Sequence, residues 1–561
     1  TANTSLTATS FGVATDTDKD NLVNWVRGQD VDNENTTTAF PNTIINEMRP
    51  SIHGGVVHSQ PAVVDYGGTI GVVSFYGADD GVLHAVNGNT TSTAGNEYWG
   101  FIAPESYINL NRLKVNTQKI NFPTVSSSLT PTPKAKDYFF DGSIGVFQST
   151  STVWIYPTMR RGGRAIYAFD VSTPTSPSLK WRKGCFTNIT TNDSNCSAGW
   201  SAIGQTWSKP QLAYLSGYVD SASRPKPVLV FGGGYDTCED VDSQTRCTTT
   251  PRKGANIWFV DADTGAILRT YPTNYSVPGE ITLLTDANGY ATFAYAADTG
   301  GYVYRVNLGT YDGTTFGTAW TSNSTAANIT IASLSETGQA RKFLFGPDVV
   351  VYNGYNAVMI GSGDREHPLS SNYACNNFSA TSGVQNQFFM LKDRPSAYPS
   401  AAITPADLTD VTTNLTAPIG TNGWRFNLLN YTSATPAASR CEQAVNKALT
   451  IGGVTYFGTN GPKSASETSN SCGVNLGNAR GYAVTFLSGA PITPAGSTVS
   501  NSRYTDYNYG GLPPSPVGGI VDIDGKKTPF CIGCKDQFDG NEPIINPSGP
   551  RQRVYWYLET D

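Results

Sequence analysis

Val72-Val-Ser-Phe-Tyr-Gly-Ala-Asp-Asp-Gly81, followed at once by Val82-Leu-His-Ala-Val-Asn-Gly88, is the stretch that decides the fold. An apolar strand ends in small residues, turns on Asp-Gly, and returns as an alternating strand closed by an amide. The Asp-Gly pair supplies the positive φ that a tight hairpin needs. Just before it runs a strand with a proline near its start, Gln60-Pro-Ala-Val-Val-Asp-Tyr66, and that strand recurs at 209–215 and 346–352. The apolar second strand recurs at 228–236, 293–301, 358–364 and 454–461, and the alternating third at 165–171, 256–262, 302–308, 387–393 and 481–487. Four-stranded sheets of this size cannot bury their own faces, so they stack as the blades of a propeller. Six such units are legible, and the remainder makes a seventh closed by Val554-Tyr-Trp-Tyr-Leu558. The expected fold is therefore an all-β propeller of about seven four-stranded blades with large inserted loops. An array of β-sandwiches is the competing architecture, because turn-bounded strands alone do not specify closure.

Composition agrees. Only 15% of the 561 residues are charged, and Gly, Ser, Thr, Asn, Tyr and Phe are plentiful, which suits short strands and polar turns rather than long surface helices. A net charge of -6 without a basic tract argues against nucleic acid as a partner. No apolar run is long enough for a membrane span. The start, Thr1-Ala-Asn-Thr-Ser-Leu6, has no signal-peptide character and no Met, so the chain reads as processed or as a fragment. One helix is expected, over Asn21–Arg27, with Asp20 as N-cap and Gly28 as its stop. The chain divides into a lead-in with an acidic loop and short helix (1–54), the blades (55–495), and a long loop with a blade-closing strand (496–561). Variable function is expected in the loops at roughly 105–142, 184–204, 310–340, 395–440 and 495–550.

Nine cysteines are spaced as staples across excursions from the sheets. Cys185 pairs with Cys196, Cys238 with Cys247, and Cys531 with Cys534, which implies an oxidising compartment. Cys441 with Cys472 is the first choice for the next pair, leaving Cys375. Zinc is the rival reading, but a single CxxC supplies half of a zinc site.

Several motifs, in this order, resemble the PilY/PilC family of type IV pilus tip proteins. They are Arg49-Pro-Ser-Ile-His-Gly-Gly-Val-Val-His-Ser-Gln-Pro61, Phe75–Ala85, Arg161-Gly-Gly-Arg-Ala-Ile-Tyr-Ala-Phe-Asp170, Gly232-Gly-Gly-Tyr-Asp236, Gly361-Ser-Gly-Asp-Arg-Glu-His-Pro368 and Arg551-Gln-Arg-Val-Tyr-Trp-Tyr557. The resemblance runs from about residue 22 to the end. It implies the family's C-terminal domain, a modified quinoprotein-like β-propeller, at an extracellular pilus tip. It further implies roles in adhesion and in pilus extension and retraction, with minor pilins as partners and a host-cell or abiotic surface as receptor. The family's variable N-terminal region has no counterpart in these residues.

Calcium is the candidate cofactor, and no organic cofactor is expected. Asp16, Asp18, Asp20 and Asn24 put side-chain oxygens at positions 1, 3, 5 and 9 of an expected loop, the donor type a hard cation takes. An acidic cap to the following helix explains the same residues equally well. The resemblance implies a second position, since the family's calcium loop precedes a Tyr-Ala-x-Asp strand similar to Tyr295-Ala-Ala-Asp298. Its ligand positions then fall on Leu284, Asp286, Asn288 and Thr292, a set too poor in charge to bind well, and Asp286-Ala-Asn-Gly289 reads better as a hairpin turn. Asp522-Ile-Asp524-Gly also reads as a hairpin tip.

Asp364, Arg365, Glu366 and His367 form a dense polar cluster in an apolar setting, expected to be a buried ion-pair network between blades rather than an acid–base catalyst. His53, His58, His84 and His367 are assigned structural hydrogen bonds, with a metal site as the lesser reading. Tyr271, Tyr275, Tyr504, Tyr507 and Tyr509 suit either a contact surface or packing under the propeller rim. No catalytic set is expected. A quinoprotein dehydrogenase is the enzyme alternative, since such propellers share the hairpin seen at Asp261-Ala-Asp-Thr-Gly265. Those enzymes stack their cofactor on adjacent cysteines, and no two cysteines are adjacent here. A scaffold that only caps minor pilins is the third reading.

Overall fold

A computed structural model describes residues 6–34, 48–49, 51–121, 133–186, 192–243, 245–248, 250–309, 329–368, 383–396, 399–428, 441–462, 476–492, 503–507, 510–523 and 526–534. The chain divides into two compact units: Thr1–Leu212 with Leu229–Thr237 and Phe259–Leu268, and Ala213–Val228 with Cys238–Trp258 and Arg269–Asp561. Both are built from small antiparallel sheets in sequence order, the blade pattern expected of the repeating strands. The fold is all-β and propeller-type.

In the first unit, one sheet orders Ala62–Asp65, Val72–Gly77, Leu83–Asn87 and Glu97–Phe101. A second orders Ile144–Gln148, Val153–Pro157, Arg164–Asp170 and Ser178–Cys185. Alternation in Val72–Gly77 sends Val73 and Phe75 inward, where they join Leu83, Ala85, Phe140, Ile155, Tyr167 and Phe169 in one core. Gly77 closes that strand because a Cβ there would lie 1.8 Å from the Phe140 carbonyl oxygen. The lead-in helix and a helix at Tyr107–Val115 pack together around Phe11, Leu22, Trp25, Leu110 and Phe139.

The lead-in corrects the sequence reading. The helix α1 spans Asp16–Val26, so it begins four residues before the expected N-cap. Thr15 is the N-cap, in a capping box with Asp18: the Thr15 hydroxyl accepts from Asp18 N–H at 3.1 Å, and Asp18 Oδ2 accepts from Thr15 N–H at 3.1 Å. The stop is at the expected place, with Gly28 donating to the Trp25 carbonyl at 2.9 Å. A second helix, α2 (Tyr107–Val115), occupies part of the stretch read as loop. Its apolar periodicity is weak, and only Leu110 is fully buried.

Strands Gln211–Val219, Pro225–Gly232, Asn256–Asp261 and Ile267–Pro272 form a further four-stranded sheet. The second unit holds a sheet of Thr282–Thr285, Ala291–Ala297, Tyr302–Asn307 and Thr330–Ser333. It also holds two five-stranded sheets. One is Asp348–Tyr352, Tyr355–Gly361, Gln387–Asp393 and Gly423–Asn427, with Thr409–Asp410 added in parallel. The other is centred on Val454–Gly461 and Asn478–Thr485. An aromatic stack fastens these two, with Phe388 and Phe457 centroids 4.0 Å apart and Trp424, Phe426 and Tyr482 alongside.

Val517–Ile523 pairs with Lys526–Ile532 as a hairpin, which agrees with a turn after Asp522, while Asp524 lies outside the described residues. The described residues thus hold six sheets of four or five strands. The seventh unit's closing strand, 554–558, lies outside them.

Disulfides join Cys185 to Cys196, Cys238 to Cys247, and Cys531 to Cys534, as the spacing implied. Cys441 is also disulfide-bonded, and its expected partner Cys472, like Cys375, lies outside the described residues. Seven of nine cysteines are thereby oxidised and Cys441 needs an eighth, so thiol titration under denaturant is expected to find one thiol per chain. Finding three or more would refute the bonding pattern.

Candidate functional site

The four oxygens read as a calcium loop sit on α1 instead. At 3.6 residues per turn Asp16, Asp20 and Asn24 share a side, and Asp18 points roughly 200° round from Asp16. Asp18 is engaged in the capping box, while Lys19 reaches Asp16 at 3.3 Å and Asp20 at 3.5 Å. No loop gathers these side chains around one point. At the second position, Asp286 Oδ1 accepts from Asn288 N–H at 2.8 Å and Tyr290 N–H at 3.0 Å, so its carboxylate holds its own hairpin turn. Thr292 gives its hydroxyl to the Leu284 carbonyl at 3.1 Å.

The Asp364–His367 cluster is a buried network, as expected, but half of it was not legible. Asp364 is 1% exposed. Its Oδ2 receives Lys342 Nζ at 2.8 Å and His367 Nδ1 at 2.9 Å. Lys342 also lies 3.4 Å from Glu239 Oε2, and Thr299 gives its hydroxyl to Glu239 at 3.2 Å. Gln443 clamps the turn, accepting from Asp364 N–H and donating to the His367 carbonyl, both at 2.7 Å. Burial alone would raise the Asp364 carboxyl, yet Lys342 and His367 bring it down to about 2. Glu239 is pushed up by burial despite Lys342. Arg365 and Glu366 are half-buried, and Glu366 N–H donates to Asp364 Oδ1 at 3.2 Å.

A second polar group lies in the first unit, where the segment 51–59 straps the hairpin of the first sheet. Gly54 N–H meets Asp80 Oδ2 at 2.8 Å, and Gly55 N–H meets Asp79 Oδ1 at 2.5 Å. Residue 54 must be glycine, since a Cβ would lie 2.3 Å from Asp80 N. This docking brings His53 over His84, with ring centroids 4.7 Å apart. His84 Nδ1 lies 2.6 Å from Glu97 Oε1, and its Nε2 lies 3.2 Å from Asp80 Oδ2. His53 Nδ1 faces the Gly54 carbonyl at 2.6 Å and Nε2 the Tyr76 hydroxyl at 2.9 Å. Burial opposes a proton on His84, but Asp80 and Glu97 push it up to about 9. Burial would raise Asp80, and the hydrogen bond and charge of His84 hold it below the usual carboxylate range. One ligand atom each from His53, Asp80 and His84 lie within 4.8 Å of one another. The other such groupings, Cys185–Asp193–Cys196 and Asp236–Cys238–Cys247, contain sulfurs already joined in disulfides.

The remaining histidine, His58, pairs with Asp141 at 2.7 Å. Tyr271 is fully buried, so it packs and does not present a contact surface. Tyr275, Tyr504 and Tyr507 are half-buried, and Tyr509 lies outside the described residues. No helix among the described residues is long and apolar enough to cross a membrane.

No protein-family profile matches the chain. Curated relatives do: the type IV pilus biogenesis factor PilY1 of Pseudomonas aeruginosa strain UCBPP-PA14 is 29% identical over 290 residues, 46% of this chain and 21% of that protein. PilY1 from strain PAO1 is 28% identical over 240 residues, 42% of this chain and 17% of that protein. The match therefore spans about a fifth of the relatives' length. The crystal structure of the Pseudomonas aeruginosa PilY1 C-terminal domain superposes with a TM-score of 0.51 at 15% identity, covering 83% of this chain and 92% of that domain. Local sequence similarity to PilY1 and a fold shared with its C-terminal domain agree, and the chain is similar to PilY1 in both respects.

Proposed function

We propose that this chain is the propeller part of a type IV pilus tip protein that supports pilus assembly, extension and retraction and carries adhesion outside the cell, together with minor pilins. The 290-residue similarity to a type IV pilus biogenesis factor carries this reading. The disulfides support an oxidising, extracellular setting. Deleting the coding segment is expected to abolish surface pili, counted by electron microscopy, and attachment with them. Normal piliation would remove the assembly role. A pure scaffold is separated from an adhesin by binding: it holds minor pilins yet ignores cells, glycans and abiotic surfaces.

The reading assigns no enzymatic step. Incubation with pyrroloquinoline quinone and calcium is expected to give no dye-linked alcohol oxidation, and turnover would replace the pilus reading with a dehydrogenase. Calcium modulation is a separate question, decided by a melt. The oxygens of α1 and of the Asp286 turn are engaged by their own neighbours. Adding millimolar calcium to the metal-free protein is therefore expected to leave the melting temperature unchanged, and a rise of several degrees would reinstate a calcium site.

A further inference from the structure

We propose that His53, Asp80 and His84 form a binding site for a divalent transition-metal ion of the zinc type, closing the strap 51–59 onto the first sheet. Three features carry it beyond proximity. The donor set is two imidazoles and one carboxylate, the combination that favours zinc-like ions over calcium, which takes oxygen ligands. Each histidine also has its Nδ1 against an acceptor, Glu97 for His84 and the Gly54 carbonyl for His53. That arrangement sets Nδ1 as the donor in both rings, as second-shell partners of metal-bound histidines do, and it leaves His84 Nε2 toward Asp80, where an arriving metal ion displaces the proton that His84 otherwise shares with Asp80. Asp80, finally, is held by the Gly54 and Val82 N–H groups at 2.8 and 3.0 Å, so its carboxylate stays in place beside His84 Nε2.

The His53 and His84 rings stack with 21° between their planes, so capture requires His53 to turn its Nε2 away from Tyr76 and inward. His53 is exposed and makes that turn without disturbing the core. Three protein ligands leave a further position for water or for a donor from a partner. Nothing in this site depends on the pilus reading.

The experiment uses the full chain, dialysed against EDTA and then titrated with zinc chloride by calorimetry without reductant. One equivalent is expected to bind and to raise the melting temperature, as any ligand specific to the folded state does. His84→Gln and His53→Gln are each expected to weaken binding at least tenfold. Glu97→Gln, a positioning change, is expected to weaken it about 10- to 100-fold. His84 is nearly buried, so its variant is scored only if its melt in EDTA matches wild type. His53→Gln removes an exposed side chain and decides the matter alone if that variant unfolds. No zinc binding by wild type, or equal affinity in His53→Gln, overturns the proposal.

Discussion

Lys342→Met is expected to destabilise the second unit by about 3–5 kcal/mol, the usual consequence of removing one partner from a buried ion network. The Lys342 side chain is 5% exposed, Asp364 1% and Glu239 3%, so water cannot replace the ammonium. Asp364 keeps His367 and the Gln443 clamp, whereas Glu239 keeps the Thr299 hydroxyl and still faces the like charge of Asp364. Both carboxylates then have to take up a proton or stay charged in an apolar interior. The variant's deficit is accordingly expected to shrink in acid, where protonation relieves it. In wild type the sign is opposite for Asp364. Its folded pKa of about 2 lies below its ordinary 3.8, so the stability it contributes is present above pH 3.8 and lost as pH falls toward 2. His367 is raised above 6.5 by Asp364 after burial is overcome, so its contribution is full below pH 6.5 and fades at higher pH. Thermal melts of wild type and Lys342→Met from pH 3 to 8 check this, and an Lys342→Met melt within a degree of wild type at pH 7 would show that the network contributes nothing.

Hairpins were legible because their signal is local: Asp-Gly and Thr-Gly turns between apolar and alternating strands need no knowledge of partners. The Asp364–His367 cluster was legible for a similar reason, four polar residues in an apolar stretch. Lys342 and Glu239 were not, since each is an ordinary charged residue in its own segment and only folding brings them to Asp364. The acidic run at 16–24 shows the opposite failure. Alternate aspartates suit a cation loop and the first turn of a helix equally, and the deciding facts were elsewhere. Thr15 three residues before Asp18 makes a capping box, and Leu22 and Trp25, three apart, bury one helical face. The His53–His84 pairing depends on a strap docking across 31 residues, made possible by one glycine whose backbone must touch Asp80. A sequence shows that glycine but not what it touches.

Asp298→Ala is expected to cost at least as much as the lysine variant at low pH, because it orphans four donors at once. Asp298 is fully buried at the hairpin between Ala291–Ala297 and Tyr302–Asn307. Its Oδ1 accepts from Gly300 N–H and Tyr302 N–H, each at 2.9 Å. Its Oδ2 accepts from Tyr275 N–H at 2.9 Å and from the Tyr304 hydroxyl at 2.6 Å. Each buried donor left without an acceptor costs about 1–3 kcal/mol, and partial relaxation brings the total to roughly 3–5 kcal/mol. Asp298→Asn separates hydrogen bonding from charge. Its amide oxygen keeps the Gly300 and Tyr302 bonds, while the Tyr275 N–H and the Tyr304 O–H lose their acceptor, two donors rather than four, for about 2–3 kcal/mol. Charge gives the pH signature. Burial raises the Asp298 carboxyl to about 6 even against these four bonds, so the folded state holds the proton more tightly than the unfolded chain. Its effect on stability is therefore most favourable below pH 3.8 and declines as pH rises to 6 and flattens above it. Asp298→Asn cannot ionise, so its deficit relative to wild type is expected to be largest in acid and to narrow between pH 4 and 7. A deficit that is flat across that range would mean that the carboxylate is not the titrating group, and one absent in Asp298→Ala would mean that the hairpin does not depend on this acceptor.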